Sequence, residues 1–93
     1  MIVGVLEIEL HLPGCLSLKD KRMVIRSVKD RISKKFNVSV AEIDFLDKWQ
    51  RASMAFATVS NSKKHSEKVL QKIFQILDKD LSFELIKYRF DYK

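Results

Sequence analysis

The sequence predicts one α+β domain, 1–93, with the element order βαββαβ. Four stretches alternate their apolar residues with a period of two, which is typical of strands with one buried face. Two other stretches repeat their apolar residues at helical intervals. A chain of this length has room for one hydrophobic core. The order is that of the ferredoxin-like split βαβ unit, whose right-handed crossovers place both helices on one face of a four-stranded antiparallel sheet.

The strands are bounded by turn residues and by changes in periodicity. Pro13-Gly14 ends the first strand, and a connection that lacks the usual Asn-Gly signal joins the second strand to the third. The pattern predicts strands at residues 2–12, 38–45, 51–60 and 83–92.

Charge on the outer strand faces supports this arrangement. Alternation places Glu7 and Glu9 beside Lys87 and Arg89, on the face that points away from the helices. Opposite charges on neighbouring strands stabilise a sheet by about 0.2–1 kcal/mol per pair. The apolar members of the same two strands then face the helices: Leu6, Ile8, Leu10, Ile86, Tyr88 and Phe90.

Both helices have a capping signal and an apolar stripe. Ser17 precedes Asp20 with the spacing of a capping box, and a serine in 60–62 is suited to begin the second helix. The stripe of the first helix is Leu18, Ile25, Val28, Ile32 and Phe36, and that of the second is Val69, Leu70, Ile73, Ile76 and Leu77.

Positive charge is concentrated on the first helix. Residues 19–35 contain eight Lys and Arg against two Asp, and the other ten basic residues balance the other ten acidic ones, so this segment accounts for the net charge of +6. Such a helix is suited to neutralise nucleic-acid phosphates. The predicted phosphate contacts are Lys19, Lys21, Arg22, Arg26 and Lys29, with Arg51 assisting. The alternative is a solvated helix rich in Lys for helix propensity and solubility.

Two interpretations apply to Trp49-Gln50-Arg51. The indole and the guanidinium are suited to stack on an unpaired base or to grip an RNA phosphate. Alternatively, Trp49 closes the edge of the core and Arg51 pairs with Glu42 across the strands, and this structural interpretation is the favoured one.

The outer sheet face is unsuited to the base stacking that RRM domains use, because no aromatic residue is predicted on its central strands. Its small centre, Ala55 and Ala57, is bordered by apolar Val3, Val5 and Val59. A second sheet or a second copy of the chain would pack on such a surface.

An enzymatic site is not indicated. His11 and His65 are far apart, and no C-x-x-C motif is present, so we expect no metal site and no cofactor. Cys15 precedes a helix N-terminus, where a thiolate is stabilised, but no histidine lies nearby in sequence to act as its base. Acylphosphatases share the topology, yet the segment after the first strand lacks their glycine-rich phosphate loop.

Localisation follows from cysteine content and hydropathy. A lone cysteine cannot form an internal disulfide, which fits a reducing cytoplasm. No apolar run approaches the roughly 18–20 residues that cross a bilayer, and the first run lacks the basic start of a signal peptide. We therefore expect a cytoplasmic protein that is not in a membrane.

Several strings resemble the YlxP-like family of small bacterial proteins, a domain of unknown function. They are GVLEIELHLPG followed by SLKDKR, then FNVSVAEID and WQRAS. The resemblance is close from 1 to about 61 and looser beyond. The matching positions are Leu12, Pro13, Ser17, Leu18, Lys19, Lys21, Arg22, Val40, Ala41, Glu42, Asp44, Trp49, Gln50, Arg51 and Ala52.

The resemblance implies a ferredoxin-like fold and a cytoplasmic location. Genes of this family commonly lie among translation and ribosome-maturation genes, which implies association with RNA or the ribosome, and the family supplies no catalytic motif. We therefore expect a non-enzymatic protein that binds RNA or a ribosomal particle through its first helix. The alternative is a homodimeric protein-interaction module that uses the open sheet face.

Overall fold

The computed structural model describes residues 1–93 and confirms the ferredoxin-like βαββαβ architecture. Two helices pack on one face of a four-stranded antiparallel sheet, and the other face is open. No helix is both long and apolar enough to cross a membrane. The elements are β1 (Ile2–His11), α1 (Leu18–Lys35), β2 (Ser39–Asp44), β3 (Arg51–Ser60), α2 (Lys63–Asp78) and β4 (Glu84–Tyr92).

The strand order in the sheet is β2-β3-β1-β4, so β1 and β3 are central and β2 and β4 are edges. On β1, Glu7 lies opposite Ala55 of β3 and opposite Arg89 of β4. The Arg89 Nη2 atom lies 3.2 Å from Glu7 Oε2 on the open face. The predicted pairing of opposite charges between the first and last strands is confirmed there.

The core lies between the sheet and the helices. Its inward residues follow the predicted alternation on β1 and β3 and the predicted stripes on both helices. The fully or nearly buried apolar side chains are Leu6, Ile8, Leu10, Leu12, Cys15, Ile25, Val28, Ile32, Ala52, Met54, Phe56, Leu70, Ile73, Leu77 and Phe83.

Each helix begins at a serine. The Ser17 hydroxyl accepts from Asp20 N at 3.1 Å, and the Ser62 hydroxyl accepts from His65 N at 3.2 Å. The Asp20 carboxylate in turn accepts from Leu16 N at 3.0 Å, one residue before the cap. These bonds satisfy backbone donors that the first helical turn leaves free.

The last strand departs from the predicted alternation. The register with β1 shifts between Glu9, which faces Lys87, and Leu10, which faces Leu85. Ile86 is therefore the extra residue of a β-bulge, and it is 50% exposed rather than packed against the helices. The prediction that Ile86 faces the core was wrong, and Leu85 packs there instead.

Candidate nucleic-acid interface

The outer face of α1 presents three free cations. Lys19, Arg22 and Arg26 are exposed and line one shallow groove. None of them lies within ion-pair distance of a carboxylate. Met23, which is 65% exposed, lies among them in the same groove. Met23 lies between Arg22 and Arg26 in the sequence, but a prediction based on charge alone did not include it.

The second half of α1 offers less free charge than its composition implies. Lys29 is half-buried. Arg31 is paired, because its Nη2 atom lies 2.6 Å from Asp80 Oδ2 in the segment that follows α2. The exposed, unpaired cations of α1 are therefore Lys19, Arg22 and Arg26 in its first half and Lys34 and Lys35 in its last turn.

Lys21 does not belong to this basic face. Its side chain is 1% exposed and points into the space between α1 and the β2–β3 connection. The prediction that Lys21 contacts a phosphate is wrong, because its ammonium group is fully engaged inside the protein. The position had a sequence signal: Lys21 precedes Ile25 by four residues and Val28 by seven, which places it on the apolar stripe.

The Lys21 ammonium group holds the connection between β2 and β3. Nζ donates to the carbonyl oxygens of Phe45, Leu46 and Arg51 at 2.7, 3.4 and 3.3 Å. It also lies 2.8 Å from Glu42 Oε2, nearer than the carbonyl oxygens of Leu46 and Arg51. An ammonium group has three hydrogens, so these four acceptors share them. The Glu42 carboxylate therefore acts as the counter-charge, in a side chain that is 15% exposed.

The connection 45–50 is held at both ends. Phe45 adopts a positive φ of 60°, and its carbonyl accepts from Lys48 N at 3.0 Å. Gln50 Nε2 donates to the carbonyls of Cys15 and Pro13 at 3.1 and 3.3 Å. These bonds attach the connection to the segment that precedes α1, so the loop has one defined shape.

Arg51 lies at the start of β3, next to the open face. Its Nη2 and Nε atoms donate to Glu9 Oε2 at 2.9 and 3.3 Å, and its guanidinium carbon lies 4.0 Å from the centre of the Phe45 ring. The expected pair between Arg51 and Glu42 was wrong, because Glu42 faces the helices and forms an ion pair with Lys21. Arg51 keeps an exposed side chain and remains a candidate RNA contact.

Trp49 is 54% exposed and does not close the core, so the favoured structural interpretation was wrong. It lines a cleft of about 590 Å³ at the end of the sheet. His11 and Arg51 contribute from the central strands, and Ile86 contributes from the bulge of β4. The bulge places Ile86 in the lining of the cleft, and no sequence pattern predicted the bulge.

A second basic groove lies between the C-terminal ends of the two helices. It is lined by Lys35 at the end of α1, by Phe36 after it, and by Lys72, Ile76 and Lys79 of the α2 region. These lysines are far apart in sequence, so only helix packing brings them together. Lys35 follows Arg26 by nine residues, about 180° around the helix at 100° per residue, so this groove is separate from the face of Lys19, Arg22 and Arg26.

Cys15 is 4% exposed and belongs to the core. Burial raises the pKa of its thiol above the ordinary value, and the Asp20 carboxylate adds to the effect. The expected stabilisation of a thiolate at the helix N-terminus is therefore outweighed by desolvation. No cluster of His, Cys, Asp and Glu with metal-binding spacing is present in the fold.

The open sheet face is apolar over one half. Val3 lies opposite Val59, Val5 opposite Ala57, and Ala41 opposite Ala55. Val59 is 62% exposed, and the central valines and alanines are half-buried. The other half carries the charged groups of the Glu7–Arg89 and Glu9–Arg51 pairs.

Comparison of this sequence with known proteins identifies the family to which the chain belongs. Residues 3–90 match the family described as "Protein of unknown function (DUF503)". The chain belongs to the DUF503 family. One relative is the "Uncharacterized protein YlxP" of Bacillus subtilis (strain 168). It is 40% identical over 77 residues, which cover 83% of this chain and 84% of that protein. The resemblance to YlxP-like proteins is confirmed.

In this DUF503 chain the strings that carry the resemblance meet at one end of the fold. SLKDKR supplies Lys21, FNVSVAE supplies Glu42, and WQRA supplies Gln50 and the Arg51 carbonyl. They are separated by up to 30 residues in sequence and are joined by direct contacts. Much of the signature therefore determines the shape of the connection that carries Trp49.

Proposed function

We propose that this chain is a non-enzymatic cytoplasmic protein that associates with RNA, free or in a ribosomal particle, through the exposed basic face of α1. The observation that carries the proposal is the group of unpaired cations Lys19, Arg22 and Arg26. They extend over about 10 Å of helix axis at 1.5 Å per residue. A cation with no internal partner is available to neutralise a phosphate and release its counterion.

The surrounding surface supports the same proposal. The groove of Lys35, Lys72 and Lys79 is a second, separate basic surface on the helical side of the molecule. On the open sheet face, by contrast, Arg51 and Arg89 are paired with Glu9 and Glu7, and these carboxylates repel phosphate. An RNA backbone is therefore expected on the helical side of the molecule. Arg51 is a secondary contact at the end of the sheet.

The double charge reversal Arg22→Glu with Arg26→Glu tests the proposal. Glu is nearly as good a helix former as Arg, so α1 is expected to persist. Binding of a labelled RNA and co-sedimentation with ribosomal particles at low salt should both be lost. A milder change, Arg22→Gln with Arg26→Gln, should flatten the slope of log K against log salt by about two units.

The control is Lys64→Glu with Lys68→Glu, an equal charge change on exposed positions of α2. Lys72 is unsuitable as a control because it lines the second basic groove. If both reversals weaken binding equally, bulk charge rather than α1 is responsible. If neither weakens it, the basic face is a solvated surface and the proposal fails.

A second candidate is a homodimeric interaction module, and the exposed apolar half of the open face favours it. Val59 is 62% exposed beside Val3, and small alanines occupy the neighbouring positions. Salt distinguishes the two functions, because phosphate binding weakens steeply with added salt and apolar packing does not. Light scattering over a range of protein and salt concentrations measures this difference.

A further inference from the structure

We propose that the cleft beside Trp49 binds one unpaired base of a single-stranded RNA. This inference rests on the proposed association with RNA, and it adds a binding site for a base. The cleft has a volume of about 590 Å³, which is within the range of small-molecule sites, roughly 300–1,000 Å³. It is a shallow, open cleft and holds the chain's only tryptophan at its surface.

The first argument is the rigidity of the loop that carries Trp49. Lys21 and Gln50 together donate five hydrogen bonds to backbone carbonyls around this connection. Burying an ammonium group in a core costs free energy unless it is paired and hydrogen-bonded. Here that group fixes a loop whose tip is an exposed indole. Such pre-organisation lowers the entropy lost when a ligand stacks on the ring.

The second argument is the charge of the cleft, which favours an uncharged base over a phosphate as the bound group. The Arg51 guanidinium is paired with Glu9, and His11 Nδ1 lies 3.3 Å from Glu84. Lys48 and Asp47 at the rim cancel each other. A neutral cleft with an exposed aromatic ring is suited to the uncharged part of a nucleotide. The phosphates then follow the basic face of α1, and only a base enters the cleft.

The third argument is the hydrogen-bonding capacity that remains. The Arg51 bonds use Nε and Nη2, which leaves Nη1 able to donate. Gln50 donates through Nε2, which leaves its amide oxygen able to accept. A donor and an acceptor beside an aromatic surface are the groups that read the edge of an unstacked base.

The experiment uses the fluorescence of Trp49, excited at a wavelength that bases do not absorb. The full chain is titrated with a labelled single-stranded RNA, with a duplex RNA, and with an abasic strand of equal length. Anisotropy of the label reports binding to any site, and quenching of Trp49 reports a stacked base. Adenosine, which has no phosphate, probes the cleft by itself.

We expect all three RNAs to raise the anisotropy, and only the single strand and adenosine to quench Trp49. Trp49→Ala should weaken binding of the single strand by about 5- to 150-fold, the value of one stacked base. It should leave binding of the duplex and the abasic strand unchanged. Trp49→Phe retains an aromatic surface and should recover most of the loss.

Each other outcome is decisive. Binding of the single strand without quenching overturns the base site and leaves the α1 interface in place. Quenching by adenosine with no binding of any RNA shows a site for a free nucleoside and overturns both the RNA base site and the α1 interface. Absence of both signals overturns both. A blue shift of Trp49 emission that grows with protein concentration assigns the cleft to a second copy of the chain and overturns the base site.

Discussion

Replacing Lys21 with methionine tests the role of the buried ammonium group. Methionine has a similar length and no charge, so the hydrophobic stem of the side chain is largely retained. The change removes the counter-charge of Glu42 and the donor of three backbone carbonyls. The free energy of unfolding should therefore fall, and the connection that carries Trp49 should loosen.

The magnitude follows from burial. Lys21 is 1% exposed and the Glu42 side chain is 15% exposed, so the carboxylate is left without a partner in a largely dry environment. Removing one partner of a buried ion pair costs about 3–5 kcal/mol. The double change Lys21→Met with Glu42→Leu also removes the stranded charge. Only the carbonyl bonds are then lost, and we expect a cost of about 1–3 kcal/mol.

Urea unfolding followed by Trp49 fluorescence measures both variants. Lys19→Met, the same replacement at an exposed position of α1, is the matched control and should change stability by less than about 0.5 kcal/mol. Acrylamide should quench Trp49 more efficiently in Lys21→Met than in the control. A loss below about 1 kcal/mol, or a double variant no more stable than the single one, would refute the reasoning.

Three further outcomes are expected. Burial opposes ionisation of Asp80, but hydrogen bonds from Arg31 and Ser82 outweigh it and hold the pKa of Asp80 below its ordinary 3.8. The ionised Asp80 carboxylate therefore stabilises the folded state fully above about pH 4, and this contribution is lost as the pH falls through the lowered pKa. In Asp80→Asn the free energy of unfolding should depend less steeply on pH in that range, and an unchanged pH dependence would contradict this. Cys15 should react with a thiol reagent at pH 8 only when denaturant unfolds the chain, because burial raises the pKa of its thiol; rapid labelling in buffer would show an accessible thiolate. Ala55→Glu should convert any dimer built on the open face to monomer without unfolding, and light scattering that finds a monomer before the mutation removes that dimer.

Sequence periodicity was sufficient for the architecture because it reports local geometry. A strand alternates its faces every residue, and a helix returns to the same face every 3.6 residues. The inward residues of β1 and β3, the stripes of both helices and the serine caps were therefore predictable. The concentration of charge on α1 was also visible, since it depends only on composition.

The sequence also contained evidence that Lys21 is buried, which a count of charges alone does not reveal. Spacing places Lys21 on the stripe of Ile25, Val28 and Ile32, whereas its neighbour Arg22 lies about 100° further around the helix and faces solvent. A lysine on an apolar stripe predicts a buried partner. Which residue provides that partner was not predictable from spacing alone.

Only the tertiary structure decided the partners and the cleft. Glu42 pairs with Lys21, and Arg51 pairs with Glu9, because strand register and helix packing bring together groups 21 and 42 residues apart. The bulge at Ile86 likewise arises where β1 and β4 meet, and it completes the cleft of Trp49. Periodicity within one element records which face a side chain occupies. It contains no information about which distant side chain meets that face, because that choice depends on the packing of the whole chain.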